Sequence, residues 1–186
     1  MANQNSTKVV TGIVRLSYAN VWEPTSVNGG TPKYGVSLII PKSDKKTITA
    51  INKAIDAAIQ AGIGKFGGKI PNKAALKLPL RDGDAERDDE AYANSYFVNA
   101  NSSTAPQIVD RAVQPILDRS EVYSGCYAKV SINFYAFNSN GNRGIACGWV
   151  ISRKSGTANL LAADRRQRMT SPQTLTITTI FSPDNG

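Results

Sequence analysis

The chain has 186 residues, 41% of them hydrophobic and 19% charged, as expected for one globular domain with an ordinary core. It contains no histidine, which excludes catalytic triads with a histidine base and His-ligated zinc sites. The net charge of +8 favours a polyanionic partner, above all nucleic acid.

The cellular setting follows from simple sequence features. No run of eighteen apolar residues occurs, and the N-terminal residues MANQNSTKVV are polar, so we expect neither a membrane span nor a secretory signal. In a cytosolic protein, Cys126 and Cys147 are expected to be buried thiols rather than a disulfide.

The first third of the chain predicts two strands and a helix. Residues 8–22 and 33–40 are rich in β-branched and aromatic residues, with Asn28-Gly29-Gly30 as a turn between them. Over residues 47–61, apolar residues recur every three or four positions, which predicts an amphipathic helix packed on the end of a barrel. Ser43 or Asp44 is the expected N-cap, and Gly62 the expected stop.

Residues 62–95 are dominated by Gly, Pro and charge, so we expect a long excursion with one short helical turn near 72–76. Strand patterns return at 96–100, 107–110, 125–138 and 143–153.

These elements predict a mainly β fold. An OB-type barrel of five or six strands, with one amphipathic helix and a long inserted loop, fits best, and a β-sandwich is the alternative. We assign residues 1–155 to this domain and residues 156–186 to a flexible C-terminal tail.

The strand at 125–138 has two unlike faces, because successive side chains alternate. One face is wholly apolar and predicts core: Cys126, Ala128, Val130, Ile132, Phe134 and Ala136. The other carries Tyr127, Lys129, Ser131, Asn133, Tyr135 and Phe137. Rings that stack on bases, beside cations that meet phosphates, are typical of a single-stranded nucleic-acid groove. The alternative is that this second face is also buried.

Further candidate DNA-binding residues lie on neighbouring segments. The returning strand adds Arg143, Trp149 and Arg153. A buried position in the core fits Trp149 equally well. The first two strands and their surroundings add edge contacts at Arg15, Tyr18, Trp22, Lys33 and Tyr34. Lysines recur every four residues at Lys65, Lys69, Lys73 and Lys77. This spacing predicts either a flexible loop that contacts phosphates or a solvated run of charge.

Six of the fourteen acidic residues lie between Asp82 and Glu90. Their oxygens would suit Mg²⁺ or Ca²⁺, but the spacing does not match an EF-hand, and one contiguous loop is a poor nuclease centre. We therefore expect no metal and no cofactor, and an acidic loop that repels DNA or covers the groove until DNA displaces it.

Three segments resemble a family of bacteriophage proteins: VVTGIVRLSYANVWEP, KYGVSLIIPK and GCYAKVSINFYAFNSNGNRGIACG. The likeness runs from about residue 8 to about residue 153. It implies an OB fold and sequence-nonspecific binding of single-stranded DNA in phage replication and recombination, without a cofactor. Phage and bacterial proteins of this functional type often end in an acidic tail, whereas Arg165, Arg166 and Arg168 make this end basic.

The sequence thus predicts a non-enzymatic single-stranded-DNA-binding protein in the cytoplasm of an infected bacterial host. Contact with phage replication proteins and self-association on DNA remain open, and no membrane partner is expected. The alternatives are a carboxylate-metal nuclease and a phage structural or interaction protein.

Overall fold

The structure is a computed structural model, and it describes residues 6–110, 112, 114–149 and 160–162. Five strands of eight or more residues make up most of the sheet: β2 (Val14–Thr25), β3 (Lys33–Pro41), β5 (Ser95–Ser102), β7 (Tyr127–Ser139) and β8 (Asn142–Trp149). Four short strands complete it: β1 (Lys8–Val10), β4 (Leu80–Asp82), β6 (Ile108–Val109) and β9 (Leu160–Ala162). The predicted mainly β class is confirmed.

Helices are few in the described part of the chain. The longest is α1 (Lys45–Ala61), followed by the single-turn helix α2 (Gly83–Glu86). Short 3-10 helices occupy Ile63–Phe66, Lys73–Ala75, Glu90–Tyr92 and Arg119–Glu121. Within the described ranges, none of these helices is long and apolar enough to cross a bilayer.

Helix α1 begins two residues before the predicted start and ends at the predicted glycine. The Asp44 carboxylate accepts a hydrogen bond from the Thr47 backbone N–H at 3.1 Å, which satisfies one free donor of the first turn. Ile51 and Ile55 are buried on the face toward the sheet. A Cβ on Gly62 would overlap the Cβ of Ala136, so the helix can end against β7 only with glycine at this position.

Strand β7 organises the sheet. Its first half pairs with β2 and β9, and its second half with β1 and β8, all antiparallel. The order of the remaining path is β4-β5-β3-β2-β7-β9-β6. Because β7 has different partners along its length, the twisted sheet curls into a half-barrel instead of extending as a flat layer.

Strands β8 and β5 approach each other at the open side of this half-barrel. A Cβ on Gly148 would lie 3.2 Å from the carbonyl oxygen of Asn101. The two strands are not neighbours in the hydrogen-bonded order of the described strands. Residues of both strands line the groove described below.

The core lies between the concave face of the sheet and α1. The predicted alternation in β7 is confirmed, because all six residues assigned to the apolar face are buried and Phe134 is among the largest fully buried side chains. Tyr127 and Tyr135, on the other face, are 39% and 46% exposed.

Both cysteines are free and buried, as predicted. Burial raises the pKa of Cys126 to about 11 and that of Cys147 further. The two thiols therefore remain protonated near neutral pH and pack as small apolar groups.

The excursion at 62–95 is more regular than its composition indicates. The predicted turn near 72–76 is confirmed as the 3-10 helix Lys73–Ala75, whose first turn is capped by Asn72. Beyond it, β4 pairs with β5 at Leu80↔Val98. Local Asx caps and one strand pairing give this segment a fixed path, which Gly and Pro content alone does not reveal.

The boundary at residue 155 remains a prediction. Strand β9, which lies inside the segment assigned to the tail, pairs with β7 at Ala128↔Ala162 and with β6 in parallel. The other residues of that segment are outside the described ranges.

We expect Phe134→Ala to lower the free energy of unfolding by about 3–5 kcal/mol, because it empties a fully buried ring site. Urea denaturation monitored by circular dichroism measures this loss. Tyr135→Ala, one residue along the same strand, is the control and should cost much less. A larger loss for Tyr135 than for Phe134 would contradict the register of β7.

Candidate nucleic-acid interface

A groove of about 1170 Å³ lies among β2, β3, β5, β7, β8 and the segment 77–81. Three of its lining residues are aromatic, namely Tyr18, Tyr135 and Phe137. Four are cationic, namely Lys33, Lys77, Arg81 and Arg87. Three carry amides, namely Asn20, Asn99 and Asn101.

No Asp or Glu is among the described residues that line this groove. A surface with four cations and no anions attracts a polyanion, and low-dielectric walls concentrate that field. Rings stack on bases regardless of their identity, so the combination suits a single nucleic-acid strand.

The register between β7 and β8 gives Tyr135 and Phe137 no bulky neighbour across the ladder. Tyr135 lies opposite Ala146, and Phe137 lies opposite Gly144. Directly opposed residues share one face of a sheet, so each ring has a very small neighbour there. Both side chains line the groove, and Tyr135 keeps an exposed ring on a rigid strand.

Tyr18 reaches the groove because β2 contains a bulge. The β2–β3 register shifts between Ser17↔Ser37 and Asn20↔Gly35, so two residues of β2 oppose one residue of β3. Before the bulge, Leu16 faces the core, and after it Val21 does, which reverses the alternation. Without the extra residue, Tyr18 would share the core face of Leu16.

The bulge is held by specific contacts. Tyr18 adopts a φ of 47°, a conformation that bulky residues rarely take. The Ala19 N–H donates to Ser124 Oγ at 2.9 Å, and the Gly125 N–H donates to the Leu16 carbonyl at 2.7 Å. The result is a tyrosine that is 61% exposed at the edge of the groove.

Residues 77–79 form one wall of the groove along the free edge of β8. The Lys77 N–H donates to the Arg143 carbonyl at 3.0 Å, and the Ile145 N–H donates to the Lys77 carbonyl at 2.9 Å. A Cβ on Gly144 would overlap that same Lys77 carbonyl oxygen. Glycine at 144 therefore allows this wall to form.

The acidic segment (residues 82–90) is folded locally rather than laid over the groove. Lys42 Nζ lies 2.8 Å from Asp82 and 2.6 Å from Asp84, and Asp84 also accepts the Asn94 N–H at 2.7 Å. The Lys42 ammonium and then the Asn94 N–H hold the pKa of Asp84 below its usual value. The same two carboxylates hold the pKa of Lys42 above its usual value.

Other acids of this segment are also engaged. Glu86 pairs with Arg81, and Asp89 accepts the Ala91 N–H at 2.9 Å. In the part of the chain that the structure describes, no group of three or more Asp, Glu, Cys or His side chains is arranged to hold a metal ion. The expected covering role is therefore corrected, since these acids act in capping and ion pairing.

The predicted binding residues fall into several groups. Tyr135, Phe137 and Lys33 line the groove. Exposed side chains that do not line it are Tyr127, Lys129, Arg143 and Lys69. Arg15 is half-buried opposite Tyr127, and Arg153 lies outside the described residues.

Several predicted residues have structural contacts instead. Trp22 and Tyr34 pack against the core, and Trp22 Nε1 donates to the Val122 carbonyl at 2.9 Å. Asn133 Oδ1 accepts from Thr7 Oγ1 at 2.7 Å, and Lys65 Nζ donates to the Ala136 carbonyl at 3.0 Å. Their side chains are thereby committed within the described fold.

The placement of Trp149 in the groove is corrected. Trp149 lies opposite Ile132 in the β7–β8 ladder, so it shares the face of the core residues, and it is only 7% exposed. Conversely, Arg81 and Arg87 line the groove but were not predicted. Tyr18, an expected edge contact, and Lys77, the last lysine of the run that begins at Lys65, line it as well. The break in alternation between Leu16 and Val21 is the sequence signal for the bulge that exposes Tyr18.

Residues 7–158 match the model of the family described as "Enterobacter phage Enc34, ssDNA-binding protein". The chain belongs to this phage family. A relative, "Putative protein p50" of Acyrthosiphon pisum secondary endosymbiont phage 1, is 33% identical over 144 residues, which are 72% of this chain and 76% of the relative. The predicted family resemblance is confirmed, and the family is a class of binding proteins rather than enzymes.

Solved structures of phage proteins share the fold of this family member. The single-stranded DNA-binding protein from bacteriophage Enc34 in complex with ssDNA is 22% identical, with a TM-score of 0.67 over 85% of this chain and 86% of that chain. The single-stranded DNA-binding protein gp2.5 of bacteriophage T7 is 13% identical, with a TM-score of 0.56 over 84% of this chain and 91% of that chain. The predicted OB-type fold is confirmed.

We expect Gly144→Ala to destabilise the fold by about 1–3 kcal/mol, because its methyl group would displace the Lys77 carbonyl from the edge of β8. Gly64→Ala is the matched control, since its Cβ would meet no atom within 4 Å. Thermal unfolding of the two variants tests this wall of the groove. Equal melting temperatures would show that residues 77–79 do not depend on Gly144.

Proposed function

We propose that this phage protein binds single-stranded DNA in the groove without base-sequence preference. The observation that carries the proposal is the lining itself, with three aromatic side chains, four cations and no carboxylate among the described residues. Membership of the Enc34 family supports the same ligand. The rings would stack on bases while the cations neutralise phosphates.

The groove favours a single strand over a duplex on physical grounds. Tyr135 and Tyr18 expose ring surface, and such surface gains free energy only from an unpaired base that can stack on it. A duplex hides its base faces and offers only phosphates and groove edges. The amides of Asn20, Asn99 and Asn101 add hydrogen-bonding capacity that every base can use.

The biological role follows from this binding. Sequence-nonspecific coating would protect and organise single strands during phage replication and recombination in the cytoplasm of the bacterial host. Contacts with phage replication proteins and self-association along DNA belong to the same proposal. The exposed cations Lys129, Arg143 and Lys69 are free to extend the strand path beyond the groove.

A carboxylate-metal nuclease is the alternative from another functional class. It would need carboxylates that face the bound strand, whereas the described groove lining contains none. A structural protein that uses the aromatic face as a subunit interface does not account for the four cations.

We expect labelled oligo-dT to bind much more tightly than duplex of equal length and to remain intact with or without Mg²⁺. A competition titration measures the preference, and a denaturing gel of the same mixtures detects cleavage. Equal affinity for duplex would contradict base stacking. Mg²⁺-dependent cleavage would establish the nuclease instead.

We expect Tyr135→Ala to weaken oligo-dT binding by about 1–3 kcal/mol, because a stacked base loses its ring. Tyr127→Ala is the matched control, since Tyr127 lies on the same outward face of β7 but does not line the groove. Fluorescence anisotropy titrations give both affinities. A larger loss at Tyr127 would move the binding path away from the groove.

Affinity for oligo-dT should fall steeply with salt. In a plot of the logarithm of affinity against the logarithm of salt concentration, each neutralised phosphate of a single strand contributes a slope of about −0.7. Four groove cations therefore give a slope of roughly −3. Titrations at several NaCl concentrations measure the slope. A flat response would show that the groove cations do not contact phosphate.

A further inference from the structure

Arg87, the one basic residue of the acidic segment, lies in a cage of aromatic rings. Its guanidinium carbon is 4.9 Å from the ring centre of Phe97, 5.2 Å from that of Tyr92 and 5.9 Å from that of Tyr18. Arg87 Nε is buried and has no hydrogen-bond partner. The flat guanidinium is thus held by ring contacts, which suit arginine better than lysine.

Within the described part of the chain, the guanidinium of Arg87 forms neither a side-chain hydrogen bond nor a direct ion pair. This is notable because acids flank it in sequence. Glu86 is occupied by Arg81, and Asp89 caps a 3-10 helix. Arg87 also lines the groove, so an unpaired cation faces the proposed DNA path.

The surroundings fix the position of this cation. Phe97 and Tyr92 are fully buried and pack edge-to-face with ring centres 5.2 Å apart. The backbone N–H of Arg87 donates to the Gly83 carbonyl at 3.0 Å. A Cβ on Gly83 would overlap the Tyr92 carbonyl, so the segment packs closely against residue 92. Lys42, by bridging Asp82 and Asp84, anchors the start of the same segment.

We propose that Arg87 binds a backbone phosphate of the single strand, and that the acidic segment serves to position it beside Tyr18. The terminal guanidinium nitrogens would donate a two-pronged hydrogen bond to the phosphodiester oxygens. The neighbouring base would stack on the exposed ring of Tyr18. This assignment rests on the proposed function. It adds a specific phosphate contact from the one arginine of an otherwise acidic segment.

The test compares Arg87→Gln with the wild type by anisotropy of labelled oligo-dT across a tenfold range of NaCl. Loss of one phosphate contact should make the slope of log affinity against log salt concentration less steep by about 0.7. The ratio of wild-type affinity to Arg87→Gln affinity should therefore fall about fivefold from the lowest to the highest salt concentration. Lys53→Gln, which removes the same charge from an exposed site on α1 outside the groove, is the control. A merely structural role for Arg87 would not change the slope.

A second variant covers the case in which Arg87→Gln fails to fold, as judged by circular dichroism. Arg87→Lys keeps the charge but loses the planar fork, so its affinity should fall several-fold while its slope stays at the wild-type value. An Arg87→Gln slope equal to that of Lys53→Gln, or an Arg87→Lys affinity equal to that of the wild type, would overturn the assignment. A wild-type protein that does not bind oligo-dT would instead overturn the proposed function.

Discussion

Alternation along β7 is the constraint on which the rest of the structure depends. Phe134 lies in the core and Tyr135 lies in the groove, one residue apart. Four strands pair with β7, so its register fixes the positions of most of the sheet. A slip of one residue would place apolar groups in water and the binding rings in the core, which strongly specifies a single register.

The groove depends on one bulge and two glycines near this strand. The bulge at Tyr18 reverses the alternation of β2, Gly144 admits the Lys77 carbonyl to the edge of β8, and Gly148 lets β8 approach β5. The bulge forfeits regular pairing and holds Tyr18 at a φ of 47°, whereas the two glycines stay in the regular β7–β8 ladder and act by lacking a side chain. Departures of this kind are typical of functional sites, where geometry for a ligand outweighs ideal local structure.

The sequence predicted most of the elements, because hydrophobic periodicity is local information. The helix, the alternation of β7 and the turn at 72–76 all follow from neighbouring residues. The placement of Trp149 failed because its face depends on which residue of β7 it opposes. Arg87 was missed because its acidic sequence neighbours are engaged elsewhere, which only the folded chain reveals.

The same folding resolves an apparent conflict between the acidic segment and a DNA groove. Lys42 and Arg81 pair with Asp82, Asp84 and Glu86, so these three carboxylates are engaged in ion pairs within a few ångströms. Of the described residues 82–90, only Arg87 lines the groove, so the charge that this segment presents there is positive.

The chemistry of this arrangement also makes salt, rather than pH, the variable to which it responds. The depressed pKa of Asp84 means that its ion pair stabilises the fold above the ordinary value of 3.8 and is lost as pH falls through the folded value. The raised pKa of Lys42 means that its contribution is complete below 10.5 and is lost only as pH rises through the folded value. With no histidine in the chain, no side chain has an ordinary pKa near neutrality. Competition from salt cations for the phosphates therefore sets how strongly the groove holds a single strand.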